Sequence, residues 1–524
     1  MQFQCGLLRV ASTLLFAFAQ VACQPPANQS RLTVASSGKI SSLDPAQAST
    51  LGTTQLLSAL GDTLYRLDQQ GELTPRLASS APEISDNGLT ISIPLRRDVL
   101  FHDGSHFDAE AMAFSIRRFL DIGTLSYVVG DRIAAVEVAS RYRLVLKLNR
   151  PSTSLEGLLT SVNLTPISPK AYLNYKDRFL HDRFVGTGPY KLTSFSEHQQ
   201  RLEPFQNYWD TQPSNDGLDL ITLSNSTALF GALTSGEVDV LLSASIDEDQ
   251  RHALHNMAQR GQLHEGRGPA MGIGYVTLLS NVEPLNDRKL RQALALSLDR
   301  LEISKRVSYG LRQPLQSLVP PSLPGGNRPS WPSHNPEAAR SLLRESGYCN
   351  GRVLSIPLTF RTNVPADKLF ALTWQAQVQR DLPDCMNITL DGVESTTVYR
   401  QLGEGAFKAV MLDWRGSYPD PEAYLTPLLS CLKANGEICL EGEAAISGSF
   451  WSTPGLQNTL RSSDVLRGKA RLDPLHRLED LTAEGSAYIP VWLETPRAWS
   501  QTSISQPRFD GSGRVRLNQL RRMD

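Results

Sequence analysis

Two things are scarce along this chain: long apolar runs and an excess of either charge. Lys and Arg number 52 against 53 for Asp and Glu, so net charge sits at −1. A membrane span needs about 20 apolar residues, and no run after residue 30 reaches that. A nucleic-acid partner needs a basic footprint, and a balanced chain offers none. Catalytic signatures are also missing. Gly-x-Ser-x-Gly and His-Glu-x-x-His do not occur, and the nine histidines sit in turns and helices without an identifiable partner. A hydrolase needs a nucleophile beside a base, so an enzyme is not expected, and no cofactor is either. There is no short-period repeat. What remains is 40% hydrophobic and 20% charged, a globular composition. The 524 residues hold about three domains' worth of core. The 32 prolines and 37 glycines are spread throughout, which points to many turns.

One apolar stretch does stand out. Arg9 precedes a run from Val10 to Ala19, the length of a signal h-region and too short for a mature span. Two exits compete: cleavage after Ala17-Phe18-Ala19, or lipidation of Cys23 in the lipobox-like Val21-Ala22-Cys23. Gln20 departs from the aliphatic residue usual there. Lipidation is preferred, with Gln24 to Ser30 as a polar tether and membrane contact only through that anchor. Either exit implies export.

Export changes the meaning of the cysteines. Cys5 leaves with the signal, and Cys349, Cys385, Cys431 and Cys439 remain beyond Cys23. In an oxidising compartment an even number suggests disulfides, and four cysteines allow three connectivities. Cys431–Cys439, which closes a short loop, is the first choice, with Cys349–Cys385 as the remainder. A metal site is the rival, although Cys-x-x-Cys spacing and a His cluster are both absent.

The most informative run is Leu89 to Leu120. Leu89, Ile91, Ile93 and Leu95 alternate with Thr90, Ser92, Pro94 and Arg96, which predicts a strand. Pro94 has no ladder donor, so an edge strand or a bulge is expected. His102-Asp103-Gly104 supplies a turn. Asp108 is a good N-cap, and Ala109, Met112, Ala113, Ile116 and Leu120 make one helical face. His102 and Asp103 as a dyad is weighed against a turn whose side chains tie down backbone; the turn is favoured.

Further segments follow. Leu43-Asp44-Pro45 is a turn before a helix at Ser49 to Leu60. Gly186-Thr187-Gly188-Pro189-Tyr190 is no nucleotide loop, because a proline and a strand follow it. Asn207-Tyr208-Trp209 and Ala232 to Asp239 come next. Leu290, Ala293, Leu294, Leu298 and Leu301 share one helical face. Asn335-Pro336-Glu337 opens a helix that Gly347 ends.

Leu95 to Phe119 resembles the signature of the bacterial extracellular solute-binding proteins of family 5, the dipeptide-, oligopeptide- and nickel-binding group. The Leu-Asp-Pro loop, Gly-Thr-Gly-Pro-Tyr, Asn-Tyr-Trp and the Ala339 to Tyr348 helix match in the family's order. The resemblance covers about residues 31–524. It implies an α/β, two-lobe periplasmic-binding-protein type II fold with an extra domain inserted in the first lobe. The expected parts are a signal and tether at 1–30, first lobe at 31–75 and 185–283, extra domain at 76–184, second lobe at 284–493, and a return to the first lobe at 494–524. It also implies a receptor in the periplasm or on the outer face of the cytoplasmic membrane, of a group whose members usually work as monomers. Its partners would be a small-molecule or peptide ligand and the permease subunits of an ABC transporter.

For the site, the resemblance places Thr50, Leu51, Gly52 and Thr53 at the ligand-facing start of a helix, where N–H groups are free. Arg361 sits where the dipeptide branch grips a ligand carboxylate, as a guanidinium can with both oxygens. Trp414, Arg415, Gly416, Ser417 and Asp420 occupy the family's second ligand loop. Peptide binders carry an Asp three residues after that Trp to hold the ligand amine. Here Ser417 stands there, so the balance tilts from a zwitterionic peptide toward an anionic, modified or chelated solute. Nickel-type members also lack that Asp, but no metal-ligating His pair lies at either loop. A chaperone-like or sensor role on the same fold is the remaining alternative.

Overall fold

The computed structural model describes residues 31–523, except 38, 49, 69–70, 125 and 243–245. The signal, Cys23 and the tether lie outside the described residues. The chain builds two large mixed sheets and a smaller antiparallel one. In the first sheet Leu32–Ser36 lies between Leu218–Thr222 and Val240–Leu242, parallel to both. Gln199–Pro204 and Tyr190–Phe195 extend one edge; Arg497–Ser500 and His264–Arg267 extend the other. The period-two rule of a strand divides its side chains between two cores. Leu32 and Val34 pack with Leu56, Leu57 and Leu60 on one face, and Ala35 packs with Leu229, Leu233 and Trp499 on the other.

The second sheet runs Gln313–Pro314, Tyr488–Glu494, Gly272–Leu278, Ala409–Arg415, Leu354–Arg361, Met386–Val393. Gly272–Leu278 is thus part of it, ahead of the boundary placed at residue 284. The chain passes between the sheets twice, after Arg267 and after Glu494, and the two passages are tied by Gly268 N–H donating to the Pro496 carbonyl at 2.9 Å.

The third sheet, Glu83–Ile84, Thr90–Pro94, Arg143–Leu148, Ile133–Ser140, interrupts the first in sequence and packs on the helix Ala109–Ile122. Asp108 caps that helix by accepting from Ala111 N–H at 3.1 Å. Thr90–Pro94 is not an edge strand, because the short Glu83–Ile84 flanks it. That neighbour reaches only Ser92; beyond it the Pro94 carbonyl accepts from Ser79 N–H at 2.8 Å, while Pro94 pairs with Arg143 on its other side. The helix expected through Leu301 is two helices, Arg288–Leu296 and Arg300–Ser308. Asp299 accepts from Leu301 and Glu302 N–H, restarting the helix, and Leu301 ends up 57% exposed. Cys349 is bonded to Cys385, and Cys431 to Cys439.

Candidate functional site: a cleft between the two sheets

A cavity of about 510 Å³ opens between the two lobes. One wall holds Thr50, Leu51, Gly52 and the Thr160–Asn163 turn; the other is Asp413–Pro419; Phe509 and Ser512–Val515 close an end. The helix Leu51–Leu60 is set firmly. Thr50 Oγ1 accepts from Thr53 N–H at 3.2 Å. The Gln55 amide donates to the Val515 carbonyl and accepts from Val515 N–H, both at 2.8 Å. Asn163 donates to the carbonyls of Pro45 and Ala48 at 2.8 and 2.9 Å, holding the loop that leads in. Thr53 is buried behind this wall and does not line the cavity.

The opposite wall is the end of the strand Ala409–Arg415. Asp413 and Arg415 are two residues apart and so share a face. Trp414 donates from Nε1 to the Ala423 carbonyl at 2.8 Å, which fixes the indole. Gly416 must be glycine, since a Cβ there would sit 2.7 Å from the Tyr424 ring. Ser417 is exposed at the cavity edge. Arg415 reaches across the lobes and donates to the Ser512 carbonyl at 2.7 Å. Gly513, at φ +73°, permits this approach, because a Cβ there would come within 2.4 Å of the guanidinium. No carboxylate among the described residues forms an ion pair with Arg415, and burial lowers its pKa from the ordinary value.

Two expected ligand residues are engaged elsewhere. Arg361 is buried outside the cavity lining. Its Nε and Nη2 donate to Asp367 at 2.7 and 3.2 Å, Nη1 donates to Tyr399 at 2.7 Å, and Asp413 completes the cage. Burial opposes the charge, but Asp367 and Asp413 outweigh it and raise the pKa further. A guanidinium already facing two carboxylates has little left for a solute. Asp420 is also buried and holds Arg471 through two bonds of 2.7 Å, while accepting from Glu422 N–H at 2.9 Å. It shapes the loop from behind.

Sequence reasoning did not assign Asp413, Glu494 or the C-terminal segment to the site. Asp413 is 53% exposed, lines the cavity and pairs with Arg361. Glu494 sits where the chain recrosses, with Arg251 Nη1 at 3.3 Å and Arg312 Nη2 at 3.4 Å. Arg312 first, then Arg251, pull its pKa down to about 2 against the cost of burial. The opposite charges of Asp413 and Arg415, two residues apart on one strand, were the one sequence signal available; nothing local marks Ser512–Val515.

The strings that carried the resemblance are structural. Gly188 packs on the end of the cleft helix, where a Cβ would lie 2.4 Å from Gly61 N, and its N–H donates to the Leu60 carbonyl at 3.0 Å. Asp62 then gathers Arg76 Nε at 2.9 Å, Tyr208 Oη at 3.1 Å, Trp209 Nε1 at 3.0 Å and Thr187 Oγ1 at 3.3 Å. Asp44 takes both arms of Arg118, from the signature helix, at 2.8 and 2.5 Å. His102 and Asp103 form a turn and no dyad. His102 Nε2 meets the Gly188 carbonyl at 3.0 Å, and Asp103 accepts from Ser105 and Ser168. Burial lowers the His102 pKa to about 4.

The inserted sheet also grips the second lobe. Ser152 and Ser154 hydroxyls donate to Asp464 at 3.1 and 2.9 Å, Arg150 pairs with it, and Arg132 pairs with the buried Glu422. One continuous apolar core runs from Ile91 and Leu144 to the second sheet. The lobes are therefore closed on the cleft.

Two lobes joined by paired crossings and shut on a cavity define a solute-binding protein of the clamshell kind. Residues 72–436 match the family described as bacterial extracellular solute-binding proteins, family 5 Middle, and the chain belongs to that family. It is similar to the glutathione-binding protein GsiB of Salmonella paratyphi A, 28% identical over 337 residues, 63% of this chain and 64% of that one. The peptide transport periplasmic protein SapA of Salmonella typhimurium is 26% identical over 82% of this chain and 80% of its own length. Among solved structures, NikA from Brucella suis in complex with Fe(III)-EDTA superposes with a TM-score of 0.82 at 19% identity, covering 94% of this chain and 100% of that one. That last likeness supports the fold.

Proposed function

We propose that this chain is the exported receptor of an ABC importer and that its solute carries a carboxylate gripped by Arg415. The protein binds without turnover, delivers its closed form to the permease, and is held at the membrane face by a lipid on Cys23. The carrying observation is Arg415 itself: a half-buried cation on the cavity wall whose hydrogen-bond partner is a carbonyl. A carboxylate arriving there gains a charge-assisted bond that no residue of the chain already makes. Asp413, exposed two residues before it, gives the same wall an acid that suits an amine or amide on the solute. A small peptide-like acid, of the kind named for GsiB and SapA, fits both. Leu51, 52% exposed at the facing helix start, offers apolar contact to the rest of such a molecule.

Closure is part of the reading. A solute signals only by binding the closed form better than the open one. Arg415 crosses the lobes to Ser512, so its charge is in place only when they are together.

Mass spectrometry of the solute carried through native purification identifies the ligand. Calorimetry with that solute then tests the site: Arg415→Ala weakens affinity by about 1.5–3 kcal/mol, roughly 10- to 100-fold, while Arg361→Ala acts mainly on stability. An unchanged Kd for Arg415→Ala rejects this assignment.

A further inference from the structure

A second cavity, of about 480 Å³, lies on the inserted sheet, and its lining shares no residue with the cleft. It forms where the end of the strand Thr90–Pro94 meets the turn between Ile133–Ser140 and Arg143–Leu148. Register joins the two sides: Pro94 pairs with Arg143, and Leu95 N–H donates to the Tyr142 carbonyl at 2.9 Å. Arg96 and Arg97 come from one side, and Arg141 and Arg143 from the other. Tyr142 stands between them. The guanidinium carbon of Arg97 lies 5.6 Å and that of Arg141 5.4 Å from the Tyr142 ring centre.

Two like charges held over one ring repel each other, and the ring's π face offsets only part of that. Carboxylates offset the group only in part. Arg143 is paired with Glu83 at 2.7 Å, and Arg141 has Asp108 no nearer than 3.9 Å. Among the described residues, Arg96 and Arg97 form no ion pair; Arg96 donates to the Arg76 carbonyl at 2.8 Å and lies over Trp209. Asp98 is the one acid in the lining, and it is exposed.

We infer that this groove binds a phosphate group. A carboxylate is planar and is satisfied by one fork. A tetrahedral phosphate presents oxygens in several directions and takes guanidinium forks from both walls at once. The same chemistry arises in a free phosphate ester and in the headgroup of an anionic phospholipid. The groove acts independently of the solute in the cleft. Because Arg97 and Arg141 are exposed, binding weakens with salt over a screening length of about 10 Å at 0.1 M.

The test uses the full chain carrying Cys23→Ser, which removes the candidate lipid acceptor. It is titrated calorimetrically with inorganic phosphate and glycerol 1-phosphate, and floated with phosphatidylcholine vesicles with and without phosphatidylglycerol. Saturable binding is expected in at least one arm, weakened about tenfold or more by Arg97→Glu with Arg141→Glu. Both side chains are exposed, so the melting temperature stays put; Arg415→Ala leaves phosphate binding intact. Flotation that requires phosphatidylglycerol, without binding of the free anions, assigns a lipid headgroup. Binding of the free anions alone assigns a dissolved ester. No binding in any arm overturns the proposal, as does binding that falls with Arg415→Ala and survives the double reversal.

Discussion

The Asp62 cluster and the Asp413–Arg415 wall are made of the same groups and end in opposite states. At Asp62 one carboxylate faces Arg76, two aromatic donors and a threonine hydroxyl, all converging on its oxygens. Every group there has its partner within the chain. At the cleft wall, Arg361 takes two carboxylates, and Arg415 is left with a carbonyl. A satisfied cluster adds rigidity and has nothing to offer a visitor. An imbalanced one costs desolvation until a solute of the missing charge arrives. Here the helix Leu51–Leu60 connects the two, anchored at its end beside Asp62 and open at its start in the cleft.

That contrast can be broken directly. Asp62→Ala takes the buried carboxylate from Arg76, 12% exposed, leaving it only the partly exposed Asp210, and removes the acceptor of Tyr208, Trp209 and Thr187. The expected loss is about 3–5 kcal/mol, read by urea unfolding, with solute affinity of the folded fraction little changed. A loss below about 1 kcal/mol, the range of surface pairs, makes Asp62 no hub. Arg415→Ala should do the reverse, sparing stability and losing affinity.

The next effect is smaller and concerns closure. Asp464→Asn keeps the shape but weakens the bonds from Ser152, Ser154 and Arg150 that join the inserted sheet to the second lobe. Loss of one charge-assisted contact of about 1.5–3 kcal/mol shifts the population toward open forms. Small-angle scattering without solute should show a larger radius of gyration, and saturating solute should restore the wild-type value. An identical envelope in both proteins removes Asp464 from the closing device.

The last effect is in pH. Glu494 titrates near about 2 in the folded chain against an ordinary 4.5, through Arg312 and Arg251. Between those values the unfolded chain binds more protons, so stability rises with pH. The contribution is complete above about 4.5 and disappears as pH falls toward 2. Glu494→Gln should therefore melt below wild type at neutral pH, with the gap closing as the solution is acidified. A gap constant from neutral pH down to 2 contradicts the depressed pKa.

Particular elements show how far a reader of residues could go. The strand and helix of Leu89 to Leu120 and the cap at Asp108 follow from local alternation and local hydrogen-bonding chemistry. So do Asn335 with Pro336 and Gly347 around the helix Pro336–Glu345. The start of the cleft helix at Thr50 was also legible, and it does line the cavity. Arg361 and Asp420 each have a partner within the chain that the sequence leaves unmarked. Asp413 and Arg471 lie 52 and 51 positions away; only Asp367, which also holds Arg361, is near in sequence. The break at Asp299 was missed because the apolar spacing of Leu298 and Leu301 suits one helix, while a capping carboxylate suits two.

Alternation, capping residues and recurring strings act over a few residues, so the order of amino acids alone determined the strands, the helices and membership of a two-lobe family. Which charges cancel is a matter of distances across the fold. Tertiary structure alone decided that Arg361 faces two carboxylates and that Arg415 donates to the Ser512 carbonyl from the far end of the chain. An ion pair has no sequence spacing; it exists only where folding brings two side chains within a few ångströms and takes the water away.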